Sequence, residues 1–321
     1  MDTGHPLTQM QILRYSPQWK ETWNRCVRES RNGTFLFQRE YMDYHNDRFQ
    51  DASILFKEGE KIIGLLPANW AEAESTIYSH QGLTYGGLIL TEKATSAQVL
   101  EMIDEMLAFY REQYSAKRLI YKPIPYIYSS YPSQEDLYAL WRHSAVLTQR
   151  LLSSSIMMAR PLKFHHSRRP NKAIRNKLYV EQNLDPQDFW VVLEEVLKEH
   201  YSTKPVHTLQ EMTTLMRSFP QEIQLFTVKK DKRVIAGTIL YVTPNVVHTQ
   251  YIASNAEGRN NRALDLLFKY LIQEKFKHMP FFDFGTSNED AGRYINAGLI
   301  AQKEYLGGRG VAYDTYCINM P

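Results

Sequence analysis

The sequence predicts a mixed α/β chain (α+β in its local order) made of two tandem copies of one β-β-β-α-β unit, and three observations carry that prediction. In the second half, apolar runs at 223–228 and 234–241 flank the charged turn Lys229-Lys230-Asp231-Lys232-Arg233. A third run, 246–253, leads through a polar turn at 254–261 into an amphipathic stretch, 262–276, and then a short run at 281–284. In the first half the same order recurs at 53–56, 61–67, 76–80, 96–114 and 118–123, with Gly64 and Gly237 at the same place in their strands. Self-similarity on this scale marks a duplicated supersecondary unit. The alternation of strand and helix patterns sets the class.

The remaining elements follow in order. A strand at 11–15 precedes a helix at 16–29, capped by Ser16 with Pro17 in its first turn. Asn32-Gly33 makes a turn, and the aromatic-rich stretch 35–49 is expected to be helical. Glu58-Gly59-Glu60 joins two strands as a hairpin. Gly82, Gly86 and Gly87 require a bend between 78 and 90. Apolar residues Val99, Met102, Ile103, Met106 and Leu107 give 96–114 its helix spacing. A helix at 134–143 and a long strand at 146–158 close the first half. The stretch 159–171 has two prolines, and 163–177 holds six Lys and Arg with no acidic residue. That content marks an exposed connection, so the domains divide as 1–160 and 161–321. Beyond it, helices are expected at 171–178, 186–200, 209–218 and 289–297, with a final hairpin turning at Gly307-Gly308-Arg309-Gly310.

Composition narrows the function classes. Of 321 residues 43% are hydrophobic and 23% charged, as in ordinary globular proteins. A net charge of +3 does not by itself call for a nucleic-acid partner. Cys26 and Cys317 lack metal or redox spacing, and His165-His166 has no ligands near it. No metal is expected. The first twelve residues show no signal peptide and no apolar run approaches a membrane span, so a cytoplasmic location is expected. Walker loop, Gly-x-Ser-x-Gly elbow and zinc helix are missing, and Asp283-Phe284-Gly285 stands without the other kinase motifs.

The stretch Gly258-Arg259-Asn260-Asn261-Arg262-Ala263, between a strand and a helix, is similar to the acyl-carrier turn of the GNAT acyltransferase superfamily, although only Ala263 keeps the signature. Asn288, Ala291, Tyr294, Gly298 and Leu299 resemble that superfamily's following motif, with the tyrosine and glycine one position early. The segments Phe282-Asp283-Phe284-Gly285-Thr286-Ser287-Asn288 and 298–308 resemble the Fem-type (FemAB) acyltransferases, which pair two GNAT-like domains. The resemblance implies a donor-side second domain and a degenerate, acceptor-side first domain. It implies donor contacts from Tyr251, Ala253, Gly258, Asn260, Asn261, Arg262, Ala263 and Asn288. Backbone N–H groups at the helix start would hold a pyrophosphate. N–H groups of strand 250–253 would face a developing oxyanion. Acceptor contacts are implied for Gln38, Tyr41, Arg168, Arg169, Arg175 and Lys303. A neutral amine must be deprotonated before it attacks, so Asp283, His80 and Glu257 are candidate bases, with His207 a further histidine. Tyr294 is the candidate proton donor to the leaving group. The expected activity is acyl transfer from acyl-coenzyme A, or a similar thioester, to a small-molecule or peptide amine. Two alternatives stand beside it: an aminoacyl-tRNA-dependent transferase modifying a peptidoglycan precursor, and a silent binding protein that kept the fold.

Overall fold

The computed structural model of the chain describes residues 10–161, 170–201 and 203–320. It divides into two compact units, Met1–Leu151 with Ala312–Pro321, and Leu152–Val311. The expected division at 160/161 sits inside the second unit. The reason is strand pairing: the end of the 146–157 strand joins the second unit's sheet, and residues 316–319 pair with a strand of the first.

The first unit opens with β1 (Met10–Arg14) and α1 (Lys20–Glu29). Then come β2 (Ile54–Glu58), β3 (Lys61–Leu66) and β4 (Thr76–Tyr78). After them run α2 (Ser96–Tyr114), β5 (Arg118–Tyr121), α3 (Glu135–Arg142) and the first half of β6 (Val146–Met157). β1, β2 and β3 form an antiparallel sheet, while β4 runs parallel to β5. Met102, Ile103, Met106 and Tyr110 of α2 are fully buried against Ile54, Phe56 and Leu66. Each such burial stabilises by roughly 1.5–3 kcal/mol.

The expected helix at 35–49 is broken into a turn at Phe35–Phe37, a helical turn at Arg39–Met42 and a further turn at Asp43–His45. Gln38 is extended (ψ 143°), and the Arg39 N–H is taken by the Asn24 side chain at 2.9 Å. The buried Arg39 guanidinium stacks 3.8 Å from the Tyr15 ring centroid and pairs with Asp43 and Asp51. Tertiary bonds there outcompete helix continuation.

The second unit contains α4 (Pro170–Arg175), β7 (Tyr179–Asn183), α5 (Gln187–Tyr201) and α6 (Leu209–Ser218). β8 (Ile223–Lys230), β9 (Arg233–Val242) and β10 (Val246–Ser254) follow, and then α7 (Ala256–Asn261) and α8 (Ala263–Tyr270). β11 (Phe281–Thr286), α9 (Ala297–Tyr305) and the start of β12 (Arg309–Asn319) complete it. β7 to β10 pair antiparallel in order, β10 runs parallel to β11, and β11 pairs antiparallel with the end of β6. α8 covers one face through Leu267 and Phe268, packed with Phe226, Leu240, Val247, Phe282 and Phe284. α5 covers the other face. A Cβ at Gly237 would stand 2.7 Å from the Phe189 ring, so the glycine lets α5 approach. Gly64, its counterpart in the first repeat, faces Met102 of α2 instead.

Three elements differ from the sequence reading here. The polar turn at 254–261 is mostly the helix α7, because Asn255 accepts from Gly258 N–H at 2.9 Å and caps it. The helix expected at 262–276 is α8 followed by one wide turn at Leu271–Lys275. The helix expected at 289–297 is a small hairpin, Asn288–Glu289 against Tyr294–Ile295. Asp290 and Ala291 turn with positive φ, and Asn296 caps α9 only from Ala297 onward. Among the described residues no helix is long and apolar enough to cross a membrane.

Candidate functional site

The candidate site of the second unit lies where β10 and β11 part. They pair in parallel over only three positions, Val246↔Phe281, Val247↔Phe282 and His248↔Asp283. Beyond that point Gly285 (φ +73°) turns β11 away, and its register with β6 shifts between Asp283 and Thr286. On the other side β10 carries a bulge against β9: Tyr251 pairs with Ile239 and Thr249 with Leu240, leaving Gln250 unmatched. A bulge re-aims local backbone groups and ends regular pairing.

Strand alternation sorts the side chains. Val247, Phe282 and Phe284 face α8, so His248 and Asp283 face the side of α5. Asp283 is fully buried. It accepts from Ser153 Oγ at 2.6 Å and from Gly285 N–H at 3.3 Å, and it bonds His248 Nδ1 at 2.7 Å. Lys303, on α9, is buried and donates its ammonium to the carbonyls of Gly285 (2.9 Å) and Thr286 (2.6 Å). Burial pushes its pKa down to about 8, against the opposing pull of Asp283. The lysine therefore pins the bend that separates the strands.

On the α8 side a groove of about 350 Å³ runs between the start of α8 and α9. Arg262, Leu264 and Asp265 line one wall, and Gly298, Gln302 and Tyr305 lie on the other. Arg262 sits at the N-cap of α8 with φ +60° and makes no side-chain capping bond. A helix start carries unpaired N–H groups and the positive end of the dipole. Three buried hydroxyls in this unit, of Thr249, Ser254 and Ser287, have no hydrogen-bond partner among the described residues. Buried polar groups without partners are rare in folded proteins.

A strand pair that opens onto a helix tip, repeated at lower fidelity in the first unit, decides the fold. This is a tandem GNAT fold. Residues 177–294 match the acetyltransferase (GNAT) domain family. The whole chain is similar to the crystal structure of FemX, with 10% identity, a TM-score of 0.69, and 96% of this chain and 97% of that one covered. It is similar to L-PGS from Bacillus licheniformis (13%, TM-score 0.59, 95% and 92% covered). It is also similar to a tandem GNAT protein from the clavulanic acid biosynthesis pathway (11%, TM-score 0.52, 98% and 99% covered). No curated protein matches it.

Within this GNAT frame the sequence-derived residues separate. Arg262 lines the groove, and Ala263 is a fully buried packing residue of α8. Gly258 is buried in α7, where a Cβ would stand 2.4 Å from the Ile235 carbonyl. Asn260 lies on α7, and Asn261 donates to the Glu257 carbonyl and accepts from Asn176. Tyr251 and Ala253 follow the bulge, with the Tyr251 hydroxyl 2.7 Å from His207 Nδ1. Asn288 accepts from Leu152 N–H at 2.6 Å and donates to Gly292 O, so it fixes the hairpin.

Tyr294, placed on a helix by its spacing, sits on the hairpin and is 59% exposed; the groove tyrosine is Tyr305. Glu257 is ion-paired with Lys230 and Arg233, and the Lys230 hydrogen bond holds its pKa below the usual range. Arg175 is exposed at the end of α4, and Arg168 and Arg169 lie outside the described residues.

In the first unit, His80 has φ +67°, packs on Phe49 and accepts from Gly82 N–H. Gln38 lies before the helical turn at Arg39–Met42, and Tyr41 is buried between Phe35 and Tyr44. Sequence reasoning missed His248, Ser153 and Tyr305. A signal for the first was present: His248 and Asp283 are each the third residue of their apolar runs. Among the described residues no cluster of His, Cys, Asp and Glu suits a metal.

Proposed function

We propose that the chain is an N-acyltransferase whose second unit holds an activated acyl donor and presents its carbonyl where β10 and β11 part. The observation that carries this reading is the groove that starts at the uncapped end of α8, in the same unit as the strand opening. A coenzyme A thioester fits the residues present. Arg262 and the first N–H groups of α8 would take its diphosphate. Leu264, Ala301 and Leu306 offer apolar wall to the carrier arm, and Gln302 and Tyr305 offer polar contacts. Main-chain N–H groups at the Gln250 bulge are the source of oxyanion stabilisation. The acceptor is a primary amine on a small molecule or peptide.

Aminoacyl-tRNA is the second reading, favoured by α7. Its turn already spends Asn255 and Asn261 on its own backbone, which leaves less to receive a diphosphate. Thermal melts with acetyl-coenzyme A, set against binding of charged tRNA, separate the two. The first reading expects a rise of roughly 5 °C at a hundredfold excess over Kd. No rise with any coenzyme A thioester removes it.

A further inference from the structure

We propose that His248 is the general base of this site and that Asp283 positions it; the inference rests on the acyl-transfer reading above. A buried carboxylate only accepts hydrogen bonds, so the imidazole nitrogen facing Asp283 must carry the proton. With Nδ1–H donated to Asp283, Nε2 is left as a lone-pair acceptor. Ser153 Oγ and Gly285 N–H occupy other lone pairs of the carboxylate and fix its direction. The His248 side chain is 13% exposed while Asp283 has no exposure, so the ring is the end of this chain of bonds that can be reached.

Gly285 explains how the ring is reached. A Cβ there would sit 3.3 Å from His248 Cε1 and 3.9 Å from Nε2. Only the missing side chain keeps that edge open, and the positive φ favours glycine on separate grounds. The groove lies on the α8 side of the sheet and the imidazole on the α5 side, with the strand opening between them. Donor and acceptor thus approach the reacting carbonyl from opposite faces.

The internal repeat supplies a control. The matching parallel pair of the first unit ends at Tyr78↔Ile120, which carries neither an imidazole nor a carboxylate. The duplicated fold does not need the pair to stand.

The step balances without any further reactant. The amine nitrogen forms a bond to the carbonyl carbon and gives its proton to His248 Nε2. The bond from that carbon to the donor's sulfur (or ester oxygen) breaks, its electron pair leaves with the heteroatom, and the imidazolium returns the proton to it. Among the described residues, Asp283 of β11 bonds the ring, Tyr241 is its register partner on β9, and the Lys303 ammonium of α9 is held at the Gly285 carbonyl beside it.

The test uses the full chain with acetyl-coenzyme A and a mixture of primary amines. His248→Gln retains an amide donor for Asp283, and circular dichroism confirms its fold. It is expected to lower kcat by 10²–10³-fold with KM for the donor unchanged, and to abolish the loss of rate on the acid side. Asp283→Asn should lower kcat by 10–100-fold, and Ser153→Ala by a few-fold. Diethyl pyrocarbonate, which acylates an unprotonated ring nitrogen, should label His248 in the wild type and about tenfold more slowly in Asp283→Asn. A His248→Gln enzyme with wild-type kcat or an unchanged acid limb overturns the proposal, and so does a His248 that resists the reagent at neutral pH. A wild type without any coenzyme A shift ends the thioester reading, while the labelling result still judges the base.

Discussion

The same helix start is closed in the first unit and open in the second. α2 begins at Thr95, whose hydroxyl accepts from Gln98 N–H while the Gln98 side chain accepts from Thr95 N–H, a complete capping box. Its counterpart α8 begins at Arg262 in a left-handed conformation with no side-chain cap. The parallel strand pair that flanks each helix differs in the same sense, with Tyr78↔Ile120 in one and His248↔Asp283 in the other. One repeat has used its polar groups to stabilise itself; the other keeps them directed at an opening. Cavity size alone misses this. The first unit has the larger groove, about 780 Å³ between α1 and β3, where Arg25, Lys57, Lys61 and Lys93 nearly balance Glu29, Glu60 and Glu92. It lies away from the parallel strand pair of its repeat.

The sharpest way to break this comparison is to fill the open end. Gly298 lines the groove, and a Cβ there meets only Asn296 Oδ1, at 3.6 Å, so Gly298→Phe starts from open space and directs its ring at the groove. It should abolish the donor-induced thermal shift and reduce turnover by two orders of magnitude or more, with the unliganded melting temperature nearly unchanged. A retained shift would place the donor elsewhere.

Next in size are two buried titrations of opposite sign. Lys303 has a folded pKa of about 8 against 10.5, so between those values the unfolded chain holds more protons and stability rises with pH. Below about 8 the cost of burying the ammonium is fully present, on the order of 3 kcal/mol. Asp136, in the first unit, is buried under Tyr121 and shifted up to about 6 by burial, from 3.8. The folded chain holds more protons between 3.8 and 6, so its contribution is present below 3.8 and is lost as pH rises through 6. Urea midpoints should show the rising limb vanish in Lys303→Met and the falling limb vanish in Asp136→Asn. Only the lysine change should alter turnover, because only Lys303 pins the Gly285 bend. The smallest effect is expected from Thr95→Ala. Losing the capping box should cost about 1 kcal/mol by chemical denaturation and leave donor affinity untouched.

Several parts of this molecule were legible because they are local. The runs at 223–228, 234–241 and 281–284 read correctly, since a strand's alternation is written in neighbouring residues. The helices that follow Thr95 and Thr208 read correctly too, since their apolar spacing is local. The helix at 289–297 was not legible. Asn288 bonds Leu152 N–H from 136 residues away, and that contact chooses the hairpin that carries Tyr294. For the same reason the proton donor inferred from helix spacing moved out, and Tyr305 took the groove.

By itself the sequence determined the duplicated β-β-β-α-β order and the class of fold. It could not determine that His248 meets Asp283, because they lie 35 positions and two helices apart and only the parallel register of β10 and β11 brings them together. Tertiary structure also decided which copy stays open: Thr95 can be read as a cap, but the groove exists only once α9 packs beside Arg262. Periodicity records what a residue's neighbours require, while a site depends on contacts that no single segment makes alone.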